Sequence, residues 1–276
     1  EVGGFALGPP LSIALYKAGG LRLPFVAPMV LLLLAGFLVR ISTGVIPHSI
    51  TPKGAIRSLL RTPTVRAALL VGAAANLSIG AFEPVIAKQL HDIGASDDAT
   101  GLTLACFALP YVLFSRHGGK LADRFGPYRT AVWSMLCTVP MIALFGIAET
   151  ALVIAIVGLV RSVFDTITTP SGSTAMAYAS PAELLGTGQG LYGATASLMT
   201  GIAALAGAAI YGAWGAKALW FSSSASMLLL TLWMLVLSKR AGVWRVLRDP
   251  IRAATSTPAV PAATTEDALS ADPSPA

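Results

Sequence analysis

Apolar runs long enough to cross a membrane recur along the whole chain and constrain its fold more than any other feature. A transmembrane helix needs about 20 mainly apolar residues to cross a hydrocarbon core about 30 Å thick. Only 12% of the 276 residues are charged, which is about half the fraction found in soluble domains. The sequence therefore predicts an all-α integral membrane protein with about eight spans. The predicted spans are 2–16, 23–39, 65–87, 99–114, 130–148, 151–170, 188–211 and 218–237.

The charges between these runs predict which side of the membrane each loop faces. Loops that remain in the cytoplasm are enriched in Lys and Arg. Residues 40–64 carry four basic side chains and no acid, whereas residues 88–98 carry three aspartates. Residues 239–252 are again basic. The alternation predicts a multi-pass protein of the plasma membrane with a cytoplasmic C-terminus. The exception is loop 17–22, which has two basic residues and is predicted to lie outside.

A charged, glycine-containing segment, RHGGKLADRFGPYR at 116–129, separates two of the apolar runs. Gly118 and Gly119 are expected to end one helix in a sharp turn, because glycine adopts positive φ at little cost. Gly126 and Pro127 are expected to break the chain again before the next helix. The excess of basic side chains predicts a cytoplasmic loop.

Residues 119–126 resemble the loop signature of the major facilitator superfamily of secondary transporters. That signature reads roughly G-x-L-a-D-r-x-G-r-[rk]-[rk] and joins the second and third helices of a six-helix half. Pro127 and Tyr128 stand where basic residues are usual. The resemblance implies a cytoplasmic gating loop whose charges pair in one state and separate in the other. Asp123 is expected near a helix N-terminus or paired with an arginine. The alternative for the whole segment is a positive-inside anchor with incidental glycines. The matching residues are Gly119, Leu121, Asp123, Arg124, Gly126 and Arg129.

The resemblance also implies how the chain is divided, because facilitator-type transporters have two six-helix halves. Residues 1–40 would be the last two helices of the N-terminal half, and 41–64 the cytoplasmic linker between bundles. Residues 65–238 would be the complete C-terminal half. Residues 239–276, which are mainly Ala, Thr, Ser and Pro from Ala253 onward, are expected to be a disordered cytoplasmic tail. On this interpretation the chain is a fragment without the first four helices.

The first span contains a small-residue pattern with two interpretations. Gly4, Gly8 and Pro9 fit part of the G-x-x-x-G-P-x-x-G-G signature of antiporters in the family. Ser12 and Ile13 replace its last two glycines. The alternative is ordinary helix packing, for which small residues allow close approach.

Four polar residues within the spans are candidates for the substrate or proton pathway, because ionisable groups in a bilayer are costly. Asn76 and Glu83 share one face of a predicted helix, and Pro84 can open that helix locally. The alternative is that Asn76 bonds a neighbouring helix and Glu83 reaches water. Arg161 and Asp165 are four residues apart on another span, so they share one face of it. They are expected to form either a static ion pair or a pair in which a proton exchanges.

The resemblance implies a secondary transporter of a small molecule that works by alternating access. Glu83 and Pro84, with the outer loop that follows them, look like drug-efflux members of the family, so proton-coupled efflux is the preferred activity. The alternatives are uptake of a sugar or organic acid, and a non-transporting scaffold or sensor. An enzyme is not expected, because no His pair, Ser/His/Asp set or phosphate loop is present. Cys106 and Cys137 are expected to be free thiols. No cofactor, metal or nucleic-acid partner is expected. The expected partners are the small-molecule substrate, the lipid bilayer and protons.

Overall fold

The computed structural model describes residues 11–12, 14–42, 54–240 and 242 of the chain. Within these residues all regular structure is helical, which confirms the predicted all-α class. Residues 14–19 are helical and precede α1. The further elements are α1 (Leu23–Ser42), α2 (Ala55–Arg61), α3 (Pro63–Asp92), α4 (Asp97–Phe125), α5 (Pro127–Phe145), α6 (Ala151–Ala179), a 3-10 turn (Ala182–Leu184) and α7 (Leu185–Arg240).

α7 is too long to be a single span. Its 56 residues correspond to about 84 Å at 1.5 Å per residue, more than twice the thickness of a hydrocarbon core. Gly215 breaks it, with φ 77° and ψ −174°. α7 therefore forms two spans, 185–214 and 216–240. With α1, α3, α4, α5 and α6, these account for seven of the predicted spans. The span 2–16, with Gly4, Gly8 and Pro9, lies mostly outside the described residues, and so does the tail after 242.

Helices α3 to α7 alternate in direction, so the bundle has two chemically different ends. We call the end with Asp92, Asp97 and Asp98 the acidic end. The end with the 116–129 segment is the basic end. Two helix starts at the acidic end follow capping side chains: Ser96 Oγ accepts the Ala99 N–H at 3.2 Å before α4, and Thr150 Oγ1 accepts the Val153 N–H at 3.3 Å before α6. Such caps satisfy N–H groups that have no partner inside the helix.

The 116–129 segment differs from its prediction. α4 bends by 54° between residues 97–114 and 116–125 and remains helical through Gly118 and Gly119. The expected turn at these glycines is therefore wrong. Gly118 instead lies against the backbone of Thr166 on α6, where a side chain would not fit. The predicted break at Gly126 is confirmed, since its φ is 88° and α5 begins at the next residue.

The bundle is held together by close helix contacts and buried polar links. α3 packs along α7, while α6 packs against α4 and α5. At Gly80, an added Cβ would lie only 2.7 Å from the Cα of Thr200 on α7. At the basic end, the buried Tyr128 hydroxyl donates to the Thr64 carbonyl at 2.9 Å. Such small-residue contacts and interhelical hydrogen bonds are typical of membrane bundles.

The acidic end contains an aromatic core around one buried amide. Gln89 is 2% exposed. Its Nε2 donates to the Phe145 carbonyl at 2.8 Å, and the Trp220 indole N–H donates to its Oε1 at 2.6 Å. The Phe145 and Trp220 ring centroids are 5.2 Å apart. Gln89 thereby ties α3 to α5 and to the second segment of α7.

α1 has a different environment from the bundle. Its most apolar 18-residue window is 0% buried inside the described part of the chain. Large side chains such as Phe25 and Leu32 are exposed. Because this surface is almost wholly apolar, it fits contact with lipid or with other transmembrane helices.

Candidate functional site

A buried ion pair lies within α6. Arg161 Nε is 3.4 Å from Asp165 Oδ2, and the two side chains are 4% and 16% exposed. The residues are four apart, so both project from the same face of the helix. Arg161 is about 15 Å from the start of α6 at 1.5 Å per residue, which is near the middle of a bilayer. The pairing predicted from their spacing is present.

The surroundings of Arg161 join α6 to α3. One terminal nitrogen, Nη2, donates to the hydroxyl of Ser78 at 3.1 Å, and Ser78 is itself buried. The guanidinium carbon is 4.3 Å from the ring centroid of Phe82. A cation over an aromatic face is attracted by the ring quadrupole, more so when water is excluded. Arg161 is therefore held by three different contacts: an ion pair, a hydroxyl and a ring.

One donor of Arg161 is not used in this arrangement. Its Nε is buried and has no hydrogen-bond partner within the described structure. Asp165 Oδ2 is within ion-pair distance of Nε, but the two do not form a hydrogen bond. A buried unsatisfied donor costs about 1–3 kcal/mol. The site therefore retains an N–H group that can donate to Asp165 after a small movement, or to a polar group of a bound molecule.

The open side of the site carries Asp165 and its neighbours. Asp165 is partly accessible, and Thr169, one turn further along α6, is exposed. Glu83 is exposed on α3, next to Phe82 in the chain. Tyr111 on α4 lies near enough to Arg161, Asp165 and Glu83 to be affected by their charges. Three helices thus contribute ionisable or hydroxyl groups to this side of the bundle.

Asn76 has a packing contact that matches one of its two predicted interpretations. Its Nδ2 donates to the Gly72 carbonyl at 2.9 Å, and Thr200 Oγ1 donates to its Oδ1 at 3.3 Å. The amide therefore links α3 to α7. These bonds correspond to the alternative in which Asn76 bonds a neighbouring helix. A role in the transport pathway stays a prediction.

The predicted gating residues lie at the basic end. Asp123 and Arg124 are exposed in the last turn of α4, so Asp123 is not at the start of a helix. The Arg124 guanidinium is 5.3 Å from the Phe125 ring centroid. Arg129 is exposed in the first turn of α5, after the buried Gly126. The structure places these charges together around one tight turn, and gating stays a prediction.

Ser78, Phe82 and Tyr111 are site residues that the sequence did not indicate. Arg161 and Ser78 are 83 residues apart in the chain. Neither serine nor phenylalanine stands out in an apolar helix, so only the packing of α3 on α6 reveals them. Among the described residues, no group of three or more His, Cys, Asp or Glu side chains is arranged to hold a metal ion.

Comparison with known proteins gives two matches. Residues 67–266 match the family model described as the Major Facilitator Superfamily. A similar curated protein is the probable sulfoacetate transporter SauU of Cupriavidus necator, with 28% identity over 116 residues. That alignment covers 42% of this chain and 26% of the relative. The matched part thus spans about a quarter of the relative's length.

Proposed function

Because the chain belongs to the Major Facilitator Superfamily, as the match over residues 67–266 shows, we propose that it couples proton movement to export of a small molecule. The resemblance found in residues 119–126 is thereby confirmed. The family match and the transporter relative support transport of a small molecule across a membrane as the general activity. The buried pair of Arg161 and Asp165 is the observation that carries the finer proposal.

The energetics of the pair favour a functional role. Two charges removed from water lose several kcal/mol of solvation each, and apolar residues of similar size are often as stable or more so. A protein that needed only packing at this depth would have little use for them. Asp165, 16% exposed, is the partner that a proton can reach from the open side.

Protonation of Asp165 changes what holds Arg161. The neutral acid no longer balances the guanidinium, so Arg161 depends on Ser78, Phe82 and any group that binds to its free Nε. The position of α6 relative to α3 then depends on whether the proton is bound. This linkage is what proton-driven transport requires, because a proton shifts a conformational equilibrium only by binding the two states differently.

The remaining predicted residues have separate roles in the proposal. Residues 65–238 form one six-helix half, and residues 1–40 belong to the other half, with substrate between the halves. Glu83 is a second proton-accepting group on the open side. Gly119, Asp123, Arg124, Gly126 and Arg129 form the cytoplasmic gate.

Proton-coupled flux tests the proposal directly. The full-length protein is reconstituted in liposomes that contain a pH-sensitive dye, and ethidium movement is followed with and without a proton gradient. We expect gradient-driven ethidium movement, with its loss in Asp165→Asn and in Glu83→Gln. Glu149→Gln is the matched control, because Glu149 is an exposed carboxylate in the turn between α5 and α6. Unchanged coupling in both test variants contradicts the proposal.

Uptake of a small organic anion is a second candidate. The relative is described as a probable sulfoacetate transporter, and Arg161 offers a buried cation with an unused donor. Radiolabelled sulfoacetate in the same liposomes distinguishes the two. Accumulation of sulfoacetate without ethidium movement favours anion uptake, whereas movement of neither probe favours the scaffold or sensor alternative.

A further inference from the structure

A groove of about 210 Å³ lies at the basic end between α4, α5 and α6. Its walls are mainly apolar. Two of the wall residues, Trp133 and Phe125, are 64% and 50% exposed, so the groove opens on the outside of the bundle. The part of the surface that faces outward in a membrane protein contacts lipid. Its principal lining residues are Leu121, Phe125, Arg129, Trp133, Cys137 and Phe164.

The depth of the groove suits one leaflet of a bilayer. Arg129 and Cys137 both line it and are eight residues apart on α5. They are therefore separated by about 12 Å along the helix axis at 1.5 Å per residue. Half of a hydrocarbon core is about 15 Å. With Arg129 at the level of the headgroups, the groove extends through most of one leaflet, as an acyl chain does.

The mouth of the groove is cationic. Arg129 is part of its lining. The Arg124 guanidinium lies 5.3 Å from the ring centroid of Phe125, which is another wall residue. Arg116 and Lys120 precede Arg124 at four-residue steps along α4, so the three lie on one side of the helix. Against these four cations, the 116–129 segment contains a single acid, Asp123.

We propose that this groove binds one anionic phospholipid, with its phosphate at Arg124 and Arg129 and an acyl chain along Trp133. The inference rests on the proposed orientation, in which the basic end is cytoplasmic. Anionic lipids are concentrated in that leaflet, and basic pockets between transmembrane helices bind their headgroups. Each nearby Lys or Arg favours an anionic lipid by about fivefold, so two of them predict a preference well above tenfold.

Quenching of Trp133 by brominated lipids tests the proposal without any transported substrate. Full-length protein is reconstituted in phosphatidylcholine with a minor fraction of brominated phosphatidylglycerol or, separately, brominated phosphatidylcholine. The Trp133 signal is the difference between the protein and its Trp133→Phe variant. We expect brominated phosphatidylglycerol to occupy the groove at least tenfold more readily than brominated phosphatidylcholine. Equal quenching by the two lipids overturns the proposal.

A charge-matched control separates the groove from the general surface charge. Arg124→Gln with Arg129→Gln should remove the preference for the anionic lipid. Arg57→Gln with Arg61→Gln removes two exposed arginines from α2, at the same end of the bundle, and should preserve it. Equal loss in both double variants would mean a non-specific surface effect and reject the groove.

A second measurement needs no variant. Native mass spectrometry of the unmodified protein, extracted from a mixture of phosphatidylglycerol and phosphatidylcholine, should show one retained phosphatidylglycerol. Retention of phosphatidylcholine in proportion to the mixture contradicts the proposal. Because neither measurement involves flux, a failure of proton-coupled transport leaves the lipid result interpretable, and the reverse also holds.

Discussion

Replacement of Gln89 by leucine should destabilise the bundle far more than a typical polar substitution in a membrane helix. Gln89 is 2% exposed and joins three helices through two short hydrogen bonds. Leucine has a similar volume, so the change removes polar contacts without leaving a large cavity. The Trp220 indole N–H and the Phe145 carbonyl then both lose their partner in a buried position.

The magnitude follows from those two groups. Each buried donor or acceptor left without a partner costs about 1–3 kcal/mol. Phe145 is the last residue of α5, where carbonyls have no partner inside the helix. No group of α5 therefore replaces the hydrogen bond that the Phe145 carbonyl loses. With some gain from the apolar leucine, we expect a net loss of about 2–4 kcal/mol. That loss corresponds to a roughly 30- to 1,000-fold change in the unfolding equilibrium.

Unfolding by SDS in mixed micelles, followed by the far-ultraviolet helix signal, measures this loss. Gln189→Leu is the matched control, because Gln189 is half-buried and its Nε2 makes one bond, to the Ser173 carbonyl at 2.9 Å. The control should lose only about 1 kcal/mol. Trp220→Phe should cost less in the Gln89→Leu background than alone, because the bond is already absent. The reasoning is refuted if Gln89→Leu and Gln189→Leu unfold at the same SDS fraction.

Three further outcomes follow from the geometry. Gly118→Ala should lower the yield of folded protein in detergent, because the added Cβ would meet the backbone of α6. Gly119→Ala should leave the yield unchanged, because no atom lies within 4 Å of its Cβ. Equal yields of the two variants would contradict the contact. Lys17 Nζ lies 3.3 Å from Asp98 Oδ1. Cysteines at these two positions, cross-linked by a bismaleimide with a reducible spacer, should therefore block flux until the spacer is reduced. Flux that persists in the cross-linked protein would mean that residues 17 and 98 do not separate during transport. Gly215→Ala should destabilise by about 1–3 kcal/mol, because its φ and ψ lie in a region almost restricted to glycine; an unchanged SDS unfolding midpoint would exclude that strain.

The positions of the spans could be predicted from hydropathy, but the ends of the helices could not. Seven of the eight predicted spans fall on described helices. The span predicted to end at Phe114 continues as helix to Phe125. Hydropathy falls in the part of the helix that contains Lys120 and Arg124. A helix with polar side chains can nevertheless continue beyond the apolar layer of the membrane. Hydropathy reports the membrane boundary, whereas the turn at Gly126 ends the helix.

The candidate site was only half predictable, for a reason of sequence distance. The spacing of Arg161 and Asp165 within one helix is local, so their pairing could be expected. The contacts of Arg161 with Ser78 and Phe82 depend on how α6 packs against α3. No local pattern contains that packing. The same holds for Thr200, which bonds Asn76 from 124 residues away.

The distribution of strong contacts indicates where the bundle can change shape. α3 is fixed to α7 at Gly80, where the backbones approach too closely for a Cβ, and at its end by Gln89. Neither of these two contacts involves a titratable group, although a third link between α3 and α7, from the Tyr211 hydroxyl to Asp92 Oδ2 at 2.7 Å at the acidic end, does. The contact of α3 with α6 through Arg161 is different, because Asp165 can gain or lose a proton and Nε has a free bonding position.

In the proposed mechanism, a proton at Asp165 acts on the α3–α6 contact while the α3–α7 contacts at Gly80 and Gln89 remain fixed. Alternating access in this type of transporter is largely the movement of one rigid body against another around a fixed site. α3, α6 and α7 all lie in the half proposed at 65–238, so in this proposal the adjustable α3–α6 contact changes the surface that this half presents to the other half, while the α3–α7 pair stays fixed. If the Asp165→Asn variant changed the reactivity of cysteines placed along α7 as much as along α6, this division into a fixed and an adjustable part would be wrong.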